Sequence, residues 1–298
     1  MKIGIIGGGA VGLLFAGYLG RKFDVTLFVR REAQVQFLSM NGINVHKESS
    51  SFTTQVRSDQ LTEVPLKFDL VIVAVKGYDL KSLENVLVLM DKNQPLLFLQ
   101  NGIGHLDWVK SLPHQNLLAG SVEHGALKEN DHALLHSGEG KTNLALIRGE
   151  WGVVEELVSQ SIPSFPFLLK QDFEEMLLTK LFVNVLINPL TAITRITNGK
   201  LVENPHLHQL QKDLFQELLL LFPQMEGIIS FERVEEICTN TYQNRSSMLK
   251  DIESSRKTEI ESILGVLVEK AYKEHHFVPI MNIVYRLVKG IEREGLGG

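Results

Sequence analysis

Lys2-Ile3-Gly4-Ile5-Ile6-Gly7-Gly8-Gly9-Ala10-Val11-Gly12 decides the fold: a short apolar run breaks into glycines, and the apolar stretch Leu13 to Leu19 follows. This is the order of a strand, a tight turn and a helix built around a dinucleotide pyrophosphate. Gly7 permits the turn, Gly9 lets the backbone approach the phosphates, and Gly12 lets the helix pack against the strand. The free N–H groups at the helix start, Ala10 and Val11 among them, then face the anion together with the positive end of the helix dipole.

Asp24 to Val29, rich in β-branched and aromatic residues, reads as the second strand. An NAD-binding unit carries an acid at its end to bond the ribose 2′-hydroxyl. Here Arg30 and Arg31 stand there instead, and guanidinium groups suit a 2′-phosphate, so NADP (NADPH) is the expected cofactor. Glu32 is also near that spacing, but it lies three residues beyond the strand and is expected in the turn or helix that follows.

The first half continues as alternating strands and helices. Phe68 to Val75, Pro95 to Leu99 and Leu117 to Val122 read as buried parallel strands. Ligands of such sheets bind beyond the carboxyl ends of the strands, so Lys76, Asn101 and Ala126 are expected to line the cofactor groove by position. Ala133 to His136 and Asn143 to Ile147, separated by Gly138 and Gly140, read as a closing hairpin or meander. After Pro163 and Pro166 the pattern turns long and helical, with breaks near Asn198-Gly199, Asn204-Pro205 and Val278-Pro279. The fold class is an α/β Rossmann-type N-terminal domain over residues 1–167, followed by an all-α C-terminal domain over 168–298 that brings the substrate to the cleft between them.

Composition is that of an ordinary globular protein: 298 residues, 44% hydrophobic, 22% charged, formal charge −5. The net negative charge does not indicate nucleic acid or an anionic membrane as partner. The single cysteine, Cys238, excludes an internal disulfide and fits a reducing compartment. No basic leader precedes the first strand and no uninterrupted run approaches the roughly 18 apolar residues of a membrane span, so a cytoplasmic location is expected. His132 and His136 lie four apart with no cysteine nearby, and no metal site is expected. Monomer and homodimer both remain open.

In the second half, Met176 to Ala192 is apolar except for a few residues, as a buried helix is. Lys180, Asn184 and Asn188 recur at i, i+4 and i+8 and therefore share one face. Polar groups on a buried helix need partners or a polar cavity, so this face is a candidate site, although snorkelling or helix bridging would also account for single members. In Asn244-Arg245-Ser246-Ser247 the Asn and Ser residues, close together, offer neutral donors suited to a carboxylate. Glu259 opens an apolar run where an acid is unremarkable as a helix-start residue. Ser247 and Glu259 do not share a helical face, so a break between them is expected.

Together these residues resemble the 2-dehydropantoate 2-reductase (ketopantoate reductase) family. The matching pieces are Gly7 to Gly12, the arginine after the second strand, Val75-Lys76, Asn101-Gly102-Ile103-Gly104, Lys180 to Ala192 with its Asn-Pro-Leu-Thr-Ala, Asn198-Gly199, Asn244 to Leu249 and Thr258-Glu259-Ile260. They run in family order along essentially the whole chain. The resemblance implies that Gly7, Gly8, Gly9, Ala10, Val11, Gly12 and Arg30 bind NADP, with Lys76, Asn101 and Ala126 lining the groove; Arg31 is added on charge. It implies Lys180 as proton donor in the reduction of ketopantoate to pantoate. Asn184, Asn188, Asn198, Asn244, Arg245, Ser246 and Ser247 become substrate contacts, and Glu259 an acid near the nicotinamide ribose and the substrate. A lysine buried among apolar neighbours is expected to have its pKa lowered from ~10.4, which suits a general acid at neutral pH. The rival readings are a reductase of another 2-keto acid and a non-catalytic NADP sensor.

Overall fold

Residues 1–61, 67–160 and 162–295 of the chain are described from a computed structural model. Two compact units are present: Met1–Gln100 with His105–Met176, and Asn101–Gly104 with Leu177–Gly298.

In the first unit the strands are β1 (Lys2–Ile6), β2 (Asp24–Val29), β3 (Ile43–His46), β4 (Ser51–Thr54), β5 (Arg57–Gln60), β6 (Leu70–Val73), β7 (Leu96–Phe98), β8 (Leu117–Val122), β9 (Gly125–Lys128), β10 (Ala133–Gly138), β11 (Thr142–Arg148) and β12 (Phe167–Lys170). The helices are α1 (Ala10–Leu19), α2 (Glu32–Asn41), α3 (Glu84–Leu89), α4 (Leu106–Ser111) and α5 (Val153–Ser159). One sheet runs β12-β11-β8-β7-β6-β1-β2-β5, parallel except where β11 meets β8; the other runs β4-β3-β10-β9. Strand β1 lies between β2 and β6, so the chain reverses its direction of travel across the sheet at the end of β1. That is the switch point where doubly wound sheets bind ligands. The register pairs Ile6 with both Phe28 and Val73, and Val73 with Phe98, which brings the four carboxyl ends level.

Side-chain alternation sorts the core. Ile3, Ile5, Leu70, Ile72 and Leu97 share one core with α1 residues such as Leu13 and Phe15, and Ile6, Val71, Val73, Leu96 and Phe98 share the other with Leu80, Leu87, Val109 and Leu112. The central strands are buried on both faces, which is why they read as uninterrupted apolar runs. The boundary expected at residue 167 falls on the first residue of β12, which pairs with β11 and belongs to the first unit. The expected hairpin of Ala133–His136 with Asn143–Ile147 does not form. Strand β10 pairs with β3 and β9, β11 pairs with β8 and β12, and the glycine-bearing connection carries the chain from one sheet to the other.

A buried polar chain ties β10 to α1. The Tyr18 hydroxyl donates to His136 Nδ1 (2.8 Å), and His136 Nε2 lies 3.2 Å from His124 Nδ1, which also accepts the Gly140 N–H (3.1 Å). An Nδ1 that accepts two N–H groups carries no proton, so His124 is neutral and His136 carries a proton on Nε2. Burial, reinforced by the neighbouring His136, lowers the His124 pKa to about 4, and burial likewise lowers His136, His114 and His105, the last to about 4. Their folded pKa values lie below the ordinary value of 6.5, so the unfolded chain binds more protons below that pH. Stability is therefore complete above pH 6.5 and lost as pH falls toward about 4. The Tm in a pH series is expected to be level from pH ~8 to ~6.5 and to fall below it; a level Tm down to pH ~5 would contradict this assignment.

The second unit is helical: α6 (Phe173–Thr194, from Leu177 onward), α7 (Asn198–Glu203), α8 (Pro205–Leu221), α9 (Phe231–Asn240), α10 (Ser247–Glu253), a π-helical turn at Glu261–Gly265, α11 (Val266–Lys273) and α12 (Pro279–Gly295). Asn204 caps α8 by accepting the N–H groups of His206 and Leu207, with Pro205 in the first helical position, so the Asn-Pro break is a helix start. Averaged over 18 residues α6 has the hydropathy of a membrane span despite its polar interruptions, yet 72% of that window is buried inside the protein. It is the core helix of its unit, packing Phe182, Val185 and Leu186 against α8 residues Leu214, Phe215 and Leu218.

Candidate active site

In the first unit, the site starts at the Gly7–Gly9 loop. Gly7 has φ +122°, a conformation open to glycine, and its N–H continues the ladder to the Phe28 carbonyl (2.9 Å). At Gly12 a Cβ would stand 1.8 Å from the Gly7 carbonyl oxygen, so the turn and the start of α1 fit together only with glycine there. Gly9, the residue before α1, would carry a Cβ into open space with no atom within 4 Å. A cradle of this kind, with unfilled space at a helix N-terminus, fits a dinucleotide pyrophosphate. Ala10 and Val11 form the first turn of α1.

The neighbouring strand ends supply charge. Arg30 and Arg31 are both exposed where β2 gives way to α2. They are not equivalent: the Arg31 guanidinium is engaged with Asp131, in the turn between β9 and β10, whereas Arg30 makes no ion pair among the described residues. Glu32 is the first residue of α2, outside the strand. Lys76 stands three residues past β6, at the start of a 3-10 turn over Gly77–Leu83, and Ala126 is on β9 opposite His136.

In the second unit, α6 is continuous from end to end, so Lys180, Asn184 and Asn188 do share a face; the first two are half-buried and Asn188 is buried. Pro189 removes the helix bond to the Val185 carbonyl, and the fully buried Thr191 hydroxyl turns back onto the carbonyls of Ile187 and Asn188 (2.9 and 3.0 Å). Thr191 also bonds Ser246 Oγ (2.7 Å), which in turn accepts the Leu249 N–H (3.1 Å) and caps α10. Ser246 is thus committed to the helix start, and Ser247, the first residue of α10, is exposed. Arg245 is exposed and paired with Glu253. Asn244 accepts the Asn198 N–H through its carbonyl (2.9 Å), so the Asn198 and Asn244 segments are adjacent. Asn198 Nδ2 donates to Thr241 Oγ1 (2.9 Å), and its Oδ1 is buried with no protein partner among the described residues.

Asn101 belongs to this unit. Its Nδ2 donates to Glu259 Oε2 at 2.8 Å, and the adjoining Gly102 (φ +79°) lies so close that a Cβ would stand 2.0 Å from the Ser262 carbonyl oxygen. The expected break between Ser247 and Glu259 is present, α10 ending at Glu253. The Glu259 segment is pinned by Thr258, whose N–H and hydroxyl both bond Glu292 Oε1 (2.6 Å each), and it leads into the π-helical turn. Thr191, Thr258 and Glu292 were silent in the sequence as supporting residues, because a polar residue on an apolar helix does not show which distant group it meets.

A glycine loop at the switch point of a parallel sheet, joined to a helical unit, is an architecture of dinucleotide-dependent oxidoreductases. A sequence model of ketopantoate reductase PanE/ApbA matches residues 3–149, and that of the ketopantoate reductase PanE/ApbA C terminal matches residues 172–292. The 2-dehydropantoate 2-reductase of Listeria innocua is 35% identical over 298 residues, covering 99% of this chain and 98% of that one. The enzyme of the same name from Bacillus subtilis is 36% identical, covering 98% of each chain. Among solved structures, a probable 2-dehydropantoate 2-reductase, panE, from Bacillus subtilis superposes with a TM-score of 0.88 at 34% identity, covering 98% of this chain and all of that one. The chain belongs to the ketopantoate reductase family.

Proposed function

We propose that the chain reduces 2-dehydropantoate (ketopantoate) to pantoate in pantothenate biosynthesis, with NADPH as cofactor. In a chain of this family, the observation that carries the reading is the Lys180, Asn184, Asn188 face of α6. We assign the first unit to the cofactor and the second to the substrate. Bound nicotinamide supplies the hydride to the keto carbon. Lys180 donates its ammonium proton to the oxygen that becomes the alcohol, and its charge stabilises the alkoxide as it develops. The unpartnered Oδ1 of Asn198 is an acceptor for a substrate hydroxyl, and Asn184 and Asn188 lie in the Lys180 row. Arg245 is neutralised by Glu253, which leaves Asn244 and Ser247 as donors for the carboxylate, with Ser246 positioning Ser247 through the helix cap. We assign Glu259, oriented by Asn101, to the nicotinamide ribose and substrate. Gly7 to Gly12 cradle the pyrophosphate, with Lys76 and Ala126 beside them. Arg30, free of the carboxylate that holds Arg31, takes the 2′-phosphate.

The test is oxidation of NADPH followed by absorbance with purified protein and ketopantoate, with NADH and a panel of other 2-keto acids as controls. Turnover confined to NADPH and ketopantoate supports the reading; turnover of another keto acid instead keeps the chemistry and discards the substrate. NADPH binding without turnover of any keto acid would favour a sensor. Loss of one charge-assisted contact on replacing Arg30 with Ala is expected to raise KM for NADPH by about 10- to 100-fold with KM for NADH unchanged. An equal rise for both cofactors would remove Arg30 from the 2′-phosphate.

A further inference from the structure

The glycine loop is clamped from outside the dinucleotide motif. Gln34, buried on α2, donates Nε2 both to the Gly8 carbonyl and to the Asp131 carbonyl, at 2.9 Å each. Lys128, the last residue of β9, donates Nζ to the same Gly8 carbonyl at 2.9 Å and lies 3.2 Å from Asp131 Oδ1. That oxygen also holds the Arg31 guanidinium. Burial works to raise the Asp131 carboxyl, but the hydrogen bonds from Arg31 and Lys128 outweigh it and hold it below the ordinary carboxylate range. Gly8 lies against the end of β2, since a Cβ there would stand 2.5 Å from Val29 Cγ1. Lys128 thus reaches, from the second sheet, the same strand end that carries Arg30 and Arg31.

We propose that Lys128 is a specificity-determining residue for the cofactor, its ammonium group contributing with Arg30 and Arg31 to recognition of the ribose 2′-phosphate. This rests on the NADPH reading above. Arg31 and Lys128 share a single carboxylate, Asp131, and Arg30 makes no ion pair among the described residues, so these cations are not matched one for one by acids. A phosphate monoester brings a charge of about −1.5 to −2 at neutral pH. One carboxylate oxygen shared by Arg31 and Lys128 leaves both cations with unused capacity, since a guanidinium has five donors and an ammonium three. The Gly8 carbonyl and Asp131 hold the ammonium in place, which reduces the ordering cost on binding. Strand β9 has no motif for this role: its partner is set by the register of β10, not by spacing from the glycines.

The deciding variant is Lys128→Gln, which keeps a donor for the Gly8 carbonyl and removes the charge, with Lys128→Arg as the conservative control. Binding of NADPH and NADH is measured by fluorescence titration, and that of 2′,5′-ADP and 5′-ADP by calorimetry at two salt concentrations, with Tm recorded for each protein. Lys128→Gln is expected to weaken NADPH and 2′,5′-ADP about tenfold or more while NADH and 5′-ADP stay within about twofold. The salt dependence of 2′,5′-ADP binding should flatten, and Lys128→Arg should restore most of the preference. If Lys128→Gln keeps the wild-type preference, or weakens all four ligands equally, Lys128 serves only the loop and the proposal is overturned. If the wild-type protein itself binds NADH as tightly as NADPH, the NADPH reading fails and the role of Lys128 fails with it. The two failures are distinguished by the wild-type titration alone.

Discussion

Replacing Lys180 with Ala is expected to lower kcat by about 10²- to 10⁴-fold, the usual worth of a positioned general acid, with NADPH affinity within about twofold of wild type. The split follows from placement. Lys180 lies on α6 in the second unit, while the glycine loop and the arginines belong to the first. Along its face of α6 the next two positions are amides, which give up no proton at neutral pH. Steady-state rates with ketopantoate and a fluorescence titration of NADPH make the comparison. Unchanged kcat would remove Lys180 from the chemistry. Equal loss of rate and NADPH affinity would mean that it serves the cofactor instead.

The second large effect is at the loop, where two glycines a turn apart should fail differently. Replacing Gly9 with Val is expected to leave Tm unchanged and to weaken NADPH about 100-fold or more. Gly9 has φ −81°, acceptable to valine, and a Cβ there meets no atom within 4 Å. The isopropyl group then occupies the space that the cofactor requires. Replacing Gly12 with Ala places a methyl 1.8 Å from the Gly7 carbonyl oxygen and should lower Tm even without cofactor, because turn and helix must separate. Calorimetry of the apo proteins beside NADPH titrations reads both. A Gly9→Val protein that binds NADPH normally would move the pyrophosphate away from this loop.

The strands legible in the sequence were those buried on both faces. Leu70–Val73, Leu96–Phe98 and Leu117–Val122 are apolar runs bounded by polar residues, and such runs announce themselves without knowledge of their partners. The four-stranded sheet was not legible. Its strands are short and mixed, Ser51–Thr54 for one, and the parallel pairing of Ala133–Leu135 with Asn44–His46 joins residues far apart in the chain. Hence the expected hairpin of β10 with β11 was wrong in partner though right in the presence of two strands. At the candidate site, spacing placed Lys180, Asn184 and Asn188 on one face because a single helix carries them. The difference between Arg30 and Arg31 was hidden, since it depends on Asp131, which a different sheet brings to the end of β2. Adjacent serines read alike for the same reason: Ser246 points to Thr191 and the helix cap, and Ser247 does not.

Asn101–Gly104 gives the molecule a constraint on how its parts can be exchanged. These four residues, from within the span of the first unit, fold with the second, where Gly102 meets Ser262 and Asn101 meets Glu259. A chimera spliced only near residue 176 would therefore import a foreign Asn-Gly-Ile-Gly segment against a native Glu259 loop, or the reverse. The two units are not free cassettes: any recombination between relatives must carry the tetrapeptide with the helical half, and drift in either segment is answerable to the other.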